Sequence, residues 1–250
     1  ILFDRLGAPL IYNIPGFRQI KKDKTRLLTR DRALDLIAKD DRSIFVDSLR
    51  QYPLKEAAAH IIGYIGQITP EQMKDKNFSE YQITDLIGKS GIEDQYESLL
   101  KGVNGKELIE VDATGKKIRT LGLTDPVAGQ DIALTIDSKL QLAAFEAMKD
   151  VAKGAVVIST PDGQILTLLS KPSFDPNLFT LDESYKAASD SAYPSVASVL
   201  TGANQPLLDR AIGGTYPPGS TYKIVMAAGA LESKKIDEDY TVNDKGIIRI

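Results

Sequence analysis

Two short runs, Ala155-Val156-Val157-Ile158 and Ile165-Leu166-Thr167-Leu168-Leu169, stand on either side of Pro161-Asp162-Gly163. Short apolar runs bounded by turn formers read as strands, and this pair reads as a hairpin. Neither run alternates with polar residues, which predicts burial on both faces. The flanking sequence offers helices to cover such a sheet. Asp137 or Ser138 can cap one that runs to about Val151, with Leu140, Ala144, Ala147 or Met148, and Val151 on one stripe. A second starts at Pro217-Pro218-Gly219-Ser220 and runs to about Glu232. Ile132 to Ile136 reads as a short strand ahead of the first helix. Residues 171–216 are rich in Ser, Ala, Asn and Pro with little periodicity, and a connection of that length is usually functional or mobile.

Upstream, residues 1 to about 125 are charged and broken by glycines, and Asp125-Pro126 with Gly129 punctuates the change. Leu10 to Ile14 predicts a strand stopped by Pro15-Gly16. Arg30 to Lys39 predicts a helix with Ala33, Leu34, Ile37 and Ala38 on one side. Ala57 to Ile68 mixes small and β-branched residues, which suggests strand or loop. Glu93 to Lys101 predicts a helix stopped by Gly102. Lys106 to Val111 and Lys117 to Leu121 flank Ala113-Thr114-Gly115 as a second hairpin.

Composition removes several function classes. The 250 residues carry 31 Lys plus Arg against 34 Asp plus Glu, a net −3 that does not suit a protein coating nucleic acid. There is no Cys, which excludes disulfides, thiolate metal sites and a Cys nucleophile. A single His excludes a metal site needing two imidazoles and leaves His60 as the sole base for a Ser-His-Asp triad. No apolar run approaches the roughly 18 residues that span a bilayer. The chain begins at Ile1, inside what already reads as folded sequence, and suggests a piece of a longer protein.

Most candidate sites have plain readings. Gly88-Lys89-Ser90 suggests a phosphate loop, but that loop needs a glycine where Ile83 stands. His60 sits among Ala57-Ala58-Ala59 and Ile61-Ile62, where a lone His is usually structural. Asp4, Asp40 and Asp41 form no convincing pair, and a solvated surface is the expectation. Ser220-Thr221-Tyr222-Lys223 differs. A Ser at a helix start and a Lys three residues on share one face. The helix N-terminus adds free N–H groups and partial positive charge, which suit an oxyanion. Ile224 to Leu231 is apolar on nearly every side, which predicts a buried helix. Burial would disfavour the Lys223 ammonium, and a free amine is what accepts a Ser proton. The alternative is that Ser220 caps the helix while Lys223 reaches to water.

The surroundings of this pair decide the emphasis. Gly214-Thr215-Tyr216-Pro217-Pro218-Gly219-Ser220-Thr221-Tyr222-Lys223 resembles the active-site segment of penicillin-binding proteins, whose S-x-x-K motif is a known signature. Gly88-Lys89-Ser90-Gly91-Ile92-Glu93, with Gln95-Tyr96-Glu97 and Leu99-Leu100-Lys101-Gly102, resembles the end of a class B pedestal. His60-Ile61-Ile62-Gly63-Tyr64-Ile65-Gly66 resembles another pedestal motif. Leu134-Thr135-Ile136-Asp137 with Leu140-Gln141, then Gly154-Ala155-Val156-Val157 and Lys171-Pro172-Ser173-Phe174-Asp175-Pro176-Asn177, resemble the start of the transpeptidase domain. The likeness spans nearly the whole chain. The wording is most similar to the elongation-type branch, penicillin-binding protein 2, and no glycosyltransferase-like region is present.

The resemblance implies an α+β fold: a pedestal (dimerisation-type) domain over residues 1–125, then the first part of a serine D,D-transpeptidase domain over 126–250, a sheet sandwiched by helices. It implies Ser220 as nucleophile and Lys223 as proton acceptor, with the Ser220 N–H as half of an oxyanion hole. Peptidoglycan stem peptides would be the substrate and β-lactams its mimics, with no metal or organic cofactor. The pedestal would meet a membrane glycosyltransferase on the extracytoplasmic side of a bacterial membrane, held there by an anchor outside this sequence. There is one departure. The family carries S-x-N and K-T-G motifs after S-x-x-K, and neither follows Ser220 here. The 250-residue chain is therefore expected to be inactive alone. The rivals are an inert scaffold and a β-lactamase or β-lactam sensor. The last two need no large pedestal.

Overall fold

The computed structural model describes residues 1–21, 24–75, 78, 81–114, 117–182, 184–243 and 246, with Lys24 described by its backbone alone. These residues fall into two units, Ile1–Gly213 and Gly214–Ile250.

The first unit opens with a short strand, β1 (Leu2–Phe3), paired antiparallel with a long one, β2 (Pro9–Lys21). The expected stop at Pro15-Gly16 does not occur: β2 runs through both residues. Proline cannot donate to a ladder, so it is tolerated where a strand lacks a neighbour on one side. The register supplies that place. β1 pairs with β2 no further than Ile11, and pairing with β3 (Lys24–Leu28) begins at Phe17. Helix α1 (Arg30–Ala38), with Thr29 as its cap, then leads to β4 (Ile44–Gln51). Among the described residues, Ser48 of β4 is the one strand partner of Pro15.

Ala57 to Ile68, expected as strand or loop, is mostly helical in its first half. A 3-10 turn (Lys55–Ala57) and a single-turn helix, α2 (Ala59–Ile62), precede strand β5 (Ile65–Gln67). Packing decides this, since β-branched residues carry only a weak preference. Ala58 and Ile62 join Leu2, Leu10, Ile11 and Tyr52 in one core, while Ala59 joins Phe174, Tyr193 and Val199 in another. Gly63 ends α2 at φ +81, where a Cβ would stand 1.8 Å from the Ser90 carbonyl oxygen. Gly91 has φ +62, and its Cβ would stand 2.5 Å from the Ile61 carbonyl oxygen. Only glycine permits such a backbone crossing, so the Gly-Lys-Ser-Gly block is a packing device.

Strand β6 (Leu86–Gly88) pairs antiparallel with β5. The expected helix from Glu93 starts at Gly91 and breaks at Tyr96, giving α3 (Gly91–Gln95) and α4 (Glu97–Leu100). β7 (Lys106–Val111) and β8 (Lys117–Thr124) form the expected hairpin, whose Gly115 lies outside the described residues. Glu110–Arg119 at 2.6 Å pins it across the strands. Strand β9 (Ile132–Ala133), shorter than the expected Ile132–Ile136, returns to the first sheet, parallel to β1.

Helix α5 (Ser138–Ala147) stops short of Val151, with Asp137 as the cap: its carboxylate accepts from the Lys139 and Leu140 N–H groups, each at 3.1 Å. Ser138 instead donates its hydroxyl to Asp4 at 2.6 Å. Asp4 is thus not solvated. It is buried, and it also accepts from the Leu6 and Ala8 N–H groups at 2.8 Å. Burial opposes its ionised form, but these donors outweigh burial and hold its pKa below the ordinary carboxylate value.

β10 (Gly154–Ser159) and β11 (Ile165–Lys171) form the hairpin expected around Pro161-Asp162-Gly163. Burial on both faces does not follow. Leu169 of β11 is buried and β11 packs against α5, but Val157 is 51% exposed. These two strands pair only with each other among the described residues, so an apolar run does not guarantee a second covering layer. Gln141 of α5 is fully buried and clasps β11: its Oε1 accepts from the Leu168 N–H at 3.0 Å, and its Nε2 donates to the Leu168 and Ala57 carbonyls at 2.9 and 2.6 Å. Among its described residues, the connection that follows contains three short helices, α6 (Asn177–Thr180), α7 (Val196–Thr201) and α8 (Arg210–Gly213).

The second unit holds a 3-10 turn (Gly219–Tyr222) that runs into helix α9 (Lys223–Glu232), close to the predicted bounds. Among the described residues, no helix is long and apolar enough to cross a membrane.

Candidate active site

Gly219 precedes Ser220 at φ +53, a left-handed conformation suited to glycine. The Lys223 N–H donates to the carbonyls of Ser220 and Thr221, which closes a single tight turn. Ser220 and Lys223 therefore stand at the two ends of this one turn. The capping alternative for Ser220 finds no support. Pro218 caps the 3-10 turn and Tyr222 caps α9, and neither cap has a side-chain hydrogen bond. The Thr221 hydroxyl, not that of Ser220, bonds back to the Pro218 carbonyl.

The expected burial of α9 is not observed. Ile224 is 76% exposed, and Val225, Met226 and Lys223 are also exposed. A helix apolar on every side is buried only by other elements. Among the described residues of its own unit, α9 has none but the short turn that leads into it. The desolvation invoked for Lys223 is therefore absent from this structure.

His60 takes the structural role. It is buried, its Nε2 lies 2.7 Å from the Pro206 carbonyl oxygen, and its ring meets Phe174 edge-on at 5.7 Å. A carbonyl only accepts, so Nε2 carries the proton. Burial lowers the pKa of the imidazole, against the opposing effects of the Pro206 carbonyl and Asp209. His60 lines a cavity of about 320 Å³ together with Ser90 and Asp209. Those are the residue types of a triad without its wiring: no hydrogen bond joins His60 to either among the described residues. Asp41 is held by Ser43, whose hydroxyl and N–H bond its carboxylate, and Lys21 adds to this. Its pKa falls to about 2.

Two buried networks escaped the sequence reading. Glu93 is fully buried and pairs with Arg50 (Nε to Oε1 at 2.9 Å, Nη2 to Oε2 at 3.1 Å), while the Tyr52 hydroxyl donates to Oε1 at 3.1 Å. Burial raises the Glu93 pKa, and Arg50 and Tyr52 offset this only in part. The second network is centred on Asn177. Its Oδ1 accepts from the Tyr52 N–H and its Nδ2 donates to the Tyr52 carbonyl, each at 2.8 Å, across 125 residues of sequence. No local pattern signals a contact of that span.

The chain thus combines a unit of mixed helices and strands with a second unit that carries the Ser-x-x-Lys turn. The chain belongs to the penicillin-binding proteins. The penicillin-binding protein dimerisation domain matches residues 3–134, and the penicillin binding protein transpeptidase domain matches residues 153–249. The peptidoglycan D,D-transpeptidase MrdA of Acinetobacter baumannii is 38% identical over 201 residues, which are 80% of this chain and 29% of that protein. Its Escherichia coli K12 counterpart is 40% identical over 202 residues, 79% of this chain and 30% of that protein. The chain thus spans about 30% of the length of these curated relatives. The crystal structure of Pseudomonas aeruginosa PBP2 in complex with WCK 5153 is 33% identical, with a TM-score of 0.66 over 100% of this chain and 43% of that one. The Helicobacter pylori PBP2–MreC complex has a TM-score of 0.75 at 23% identity, over 100% of this chain and 54% of that one, and shows the fold alone. The expected α+β class and the likeness to the elongation-type branch both hold.

Proposed function

We propose that this chain carries the nucleophile segment of a peptidoglycan D,D-transpeptidase. The observation that supports the reading most directly is the turn at Ser220. Among the described residues its hydroxyl caps neither helical segment, it shares a turn with Lys223, and it lies within the span matched by the transpeptidase family. Ser220 Oγ attacks the carbonyl of the penultimate D-Ala of a stem peptide and gives its proton to Lys223 Nζ, which accepts it only as the free amine and so needs cover that the exposed Lys223 of this structure does not have. The Ser220 N–H stabilises the resulting oxyanion. The terminal D-Ala leaves with a proton on its amine, and an ester to Ser220 remains. An amine of a neighbouring stem then displaces Ser220, forming the cross-link. β-Lactams acylate Ser220 in place of the stem peptide.

The same reading gives a pedestal over residues 1–125 and the beginning of the transpeptidase domain over 126–250. It places the protein at the extracytoplasmic face of a bacterial membrane. A solved relative is described as a peptidoglycan synthase complex that coordinates polymerisation and cross-linking. That description supports a membrane glycan polymerase as the partner of the pedestal. The test is to incubate the longest natural form of the chain with a labelled penicillin and map the modified peptide by mass spectrometry. A persistent adduct on Ser220 is the expected result. A folded protein without an adduct overturns the reading in favour of an inert scaffold, and an adduct that hydrolyses rapidly favours a β-lactamase.

A further inference from the structure

We infer that residues 173–180 are an internal latch that makes the pedestal part and the chain up to Gly213 unfold as one cooperative block. The inference stands on geometry and does not depend on the proposed activity. Four backbone groups of residues 50–56 have their hydrogen-bond partners in side chains of this segment. Thr180 Oγ1 donates to the Arg50 carbonyl at 2.7 Å, and Ser173 Oγ donates to the Glu56 carbonyl at 2.6 Å. Between them, the Asn177 amide satisfies both the N–H and the carbonyl of Tyr52. A side-chain amide thus stands where a neighbouring strand would stand, just past the end of β4.

The latch is itself held in place. Asp175 Oδ1 accepts from the Asn177 N–H at 3.0 Å and from Nδ2 at 2.9 Å, and Asp175 Oδ2 accepts from the Tyr185 hydroxyl at 2.5 Å. Ser173, Phe174, Asp175, Asn177 and Thr180 are all buried. Phe174 and Phe179 close an aromatic cluster with Tyr64 and His60. If residues 173–180 open, the Arg50 and Glu56 carbonyls and the Tyr52 N–H lose these partners, the Tyr52 carbonyl keeping the Lys55 N–H at 3.2 Å, and if 50–56 opens, Asn177 Oδ1 and the Ser173 and Thr180 hydroxyls lose theirs. Each buried polar group left unpaired shifts such an opening equilibrium by roughly tenfold. The two segments therefore open together. They fall in separate family matches, residues 3–134 and 153–249, so a boundary between families is not a boundary in folding.

Native-state hydrogen exchange on the longest natural form of the chain, read by peptide mass spectrometry at rising urea, tests this. Peptides covering 50–56 and 173–180 should share one opening free energy and one urea dependence. Opening of 173–180 at clearly lower urea, with 50–56 still protected, overturns the latch. Asn177→Ala should speed exchange in both segments by roughly tenfold or more. Acceleration confined to 173–180, or none, overturns it as well. If Asn177→Ala does not fold, Thr180→Val removes one bond at nearly constant volume. It should speed both segments about threefold, and unchanged exchange at 50–56 refutes the coupling.

Discussion

The pair Arg50–Glu93 allows a sharp test of what a buried charge does for this fold. Glu93 is fully buried and the Arg50 side chain is 15% exposed, with Nη1 also donating to Asn13 Oδ1 at 3.1 Å, so Glu93 has no water as an alternative partner and Arg50 has little. Glu93→Leu leaves the guanidinium without its anion and the Tyr52 hydroxyl without its acceptor. Breaking a buried pair from one side costs about 3–5 kcal/mol, so a loss of ~4 kcal/mol is expected. At a urea slope of about 2 kcal/mol per M, the midpoint of equilibrium unfolding should fall by about 2 M. Arg50→Leu should behave similarly.

The double variant carries the reasoning. The raised pKa of Glu93 says that desolvation outweighs the help from Arg50 and Tyr52. Removing both charges removes that burden, so Glu93→Leu with Arg50→Leu should be at least about 2 kcal/mol more stable than the sum of the singles predicts. The acid range gives a second readout. The ionised form is the disfavoured one, so its cost is present above the raised folded pKa. The cost fades as pH falls through that value toward the ordinary 4.5, and this pH dependence should vanish in the double variant. Additive losses in the double variant, or a single-variant loss under about 1 kcal/mol, would refute the argument.

Three further outcomes are expected. Because His60 is the only histidine, one imidazole NMR signal reports it, and that signal should titrate below 6.5. Below 6.5 the unfolded chain takes up a proton that folded His60 refuses, so stability should fall from 6.5 down to the folded pKa. A His60 signal titrating at or above 6.5 would contradict the burial. Gly63→Ala forces a Cβ to 1.8 Å from a backbone oxygen at φ +81, and should cost at least roughly 2 kcal/mol in thermal or urea unfolding; a neutral effect would deny the crossing with Ser90. In the longest natural form of the chain, Lys223→Ala should slow penicillin acylation by roughly 10²–10⁴-fold while Ser220→Ala abolishes the adduct. Unchanged acylation in Lys223→Ala would remove Lys223 from the proposed mechanism.

Local chemistry alone determined much of this protein. Both hairpins follow from runs of strand formers around turn residues, and the starts of α1, α5 and α9 follow from caps, prolines and apolar spacing. That Ser220 and Lys223 fall on one turn is likewise a matter of spacing. These features depend on residues within one turn or one loop of each other, which is why they can be read along the chain. Other features depend on what arrives from far away in sequence. Pro15 sits inside a strand because the register leaves it a single neighbour, and α2 is helical because two cores meet on it. Asp4 is buried because Ser138 reaches it, and Asn177 matters because the Tyr52 backbone lies 125 residues away. The apolar pattern of α9 marks a face that could be covered but cannot say whether anything covers it. Burial belongs to the assembled fold, since a side chain's distance from water is set by every element packed around it, whereas a turn is set by the few residues that form it.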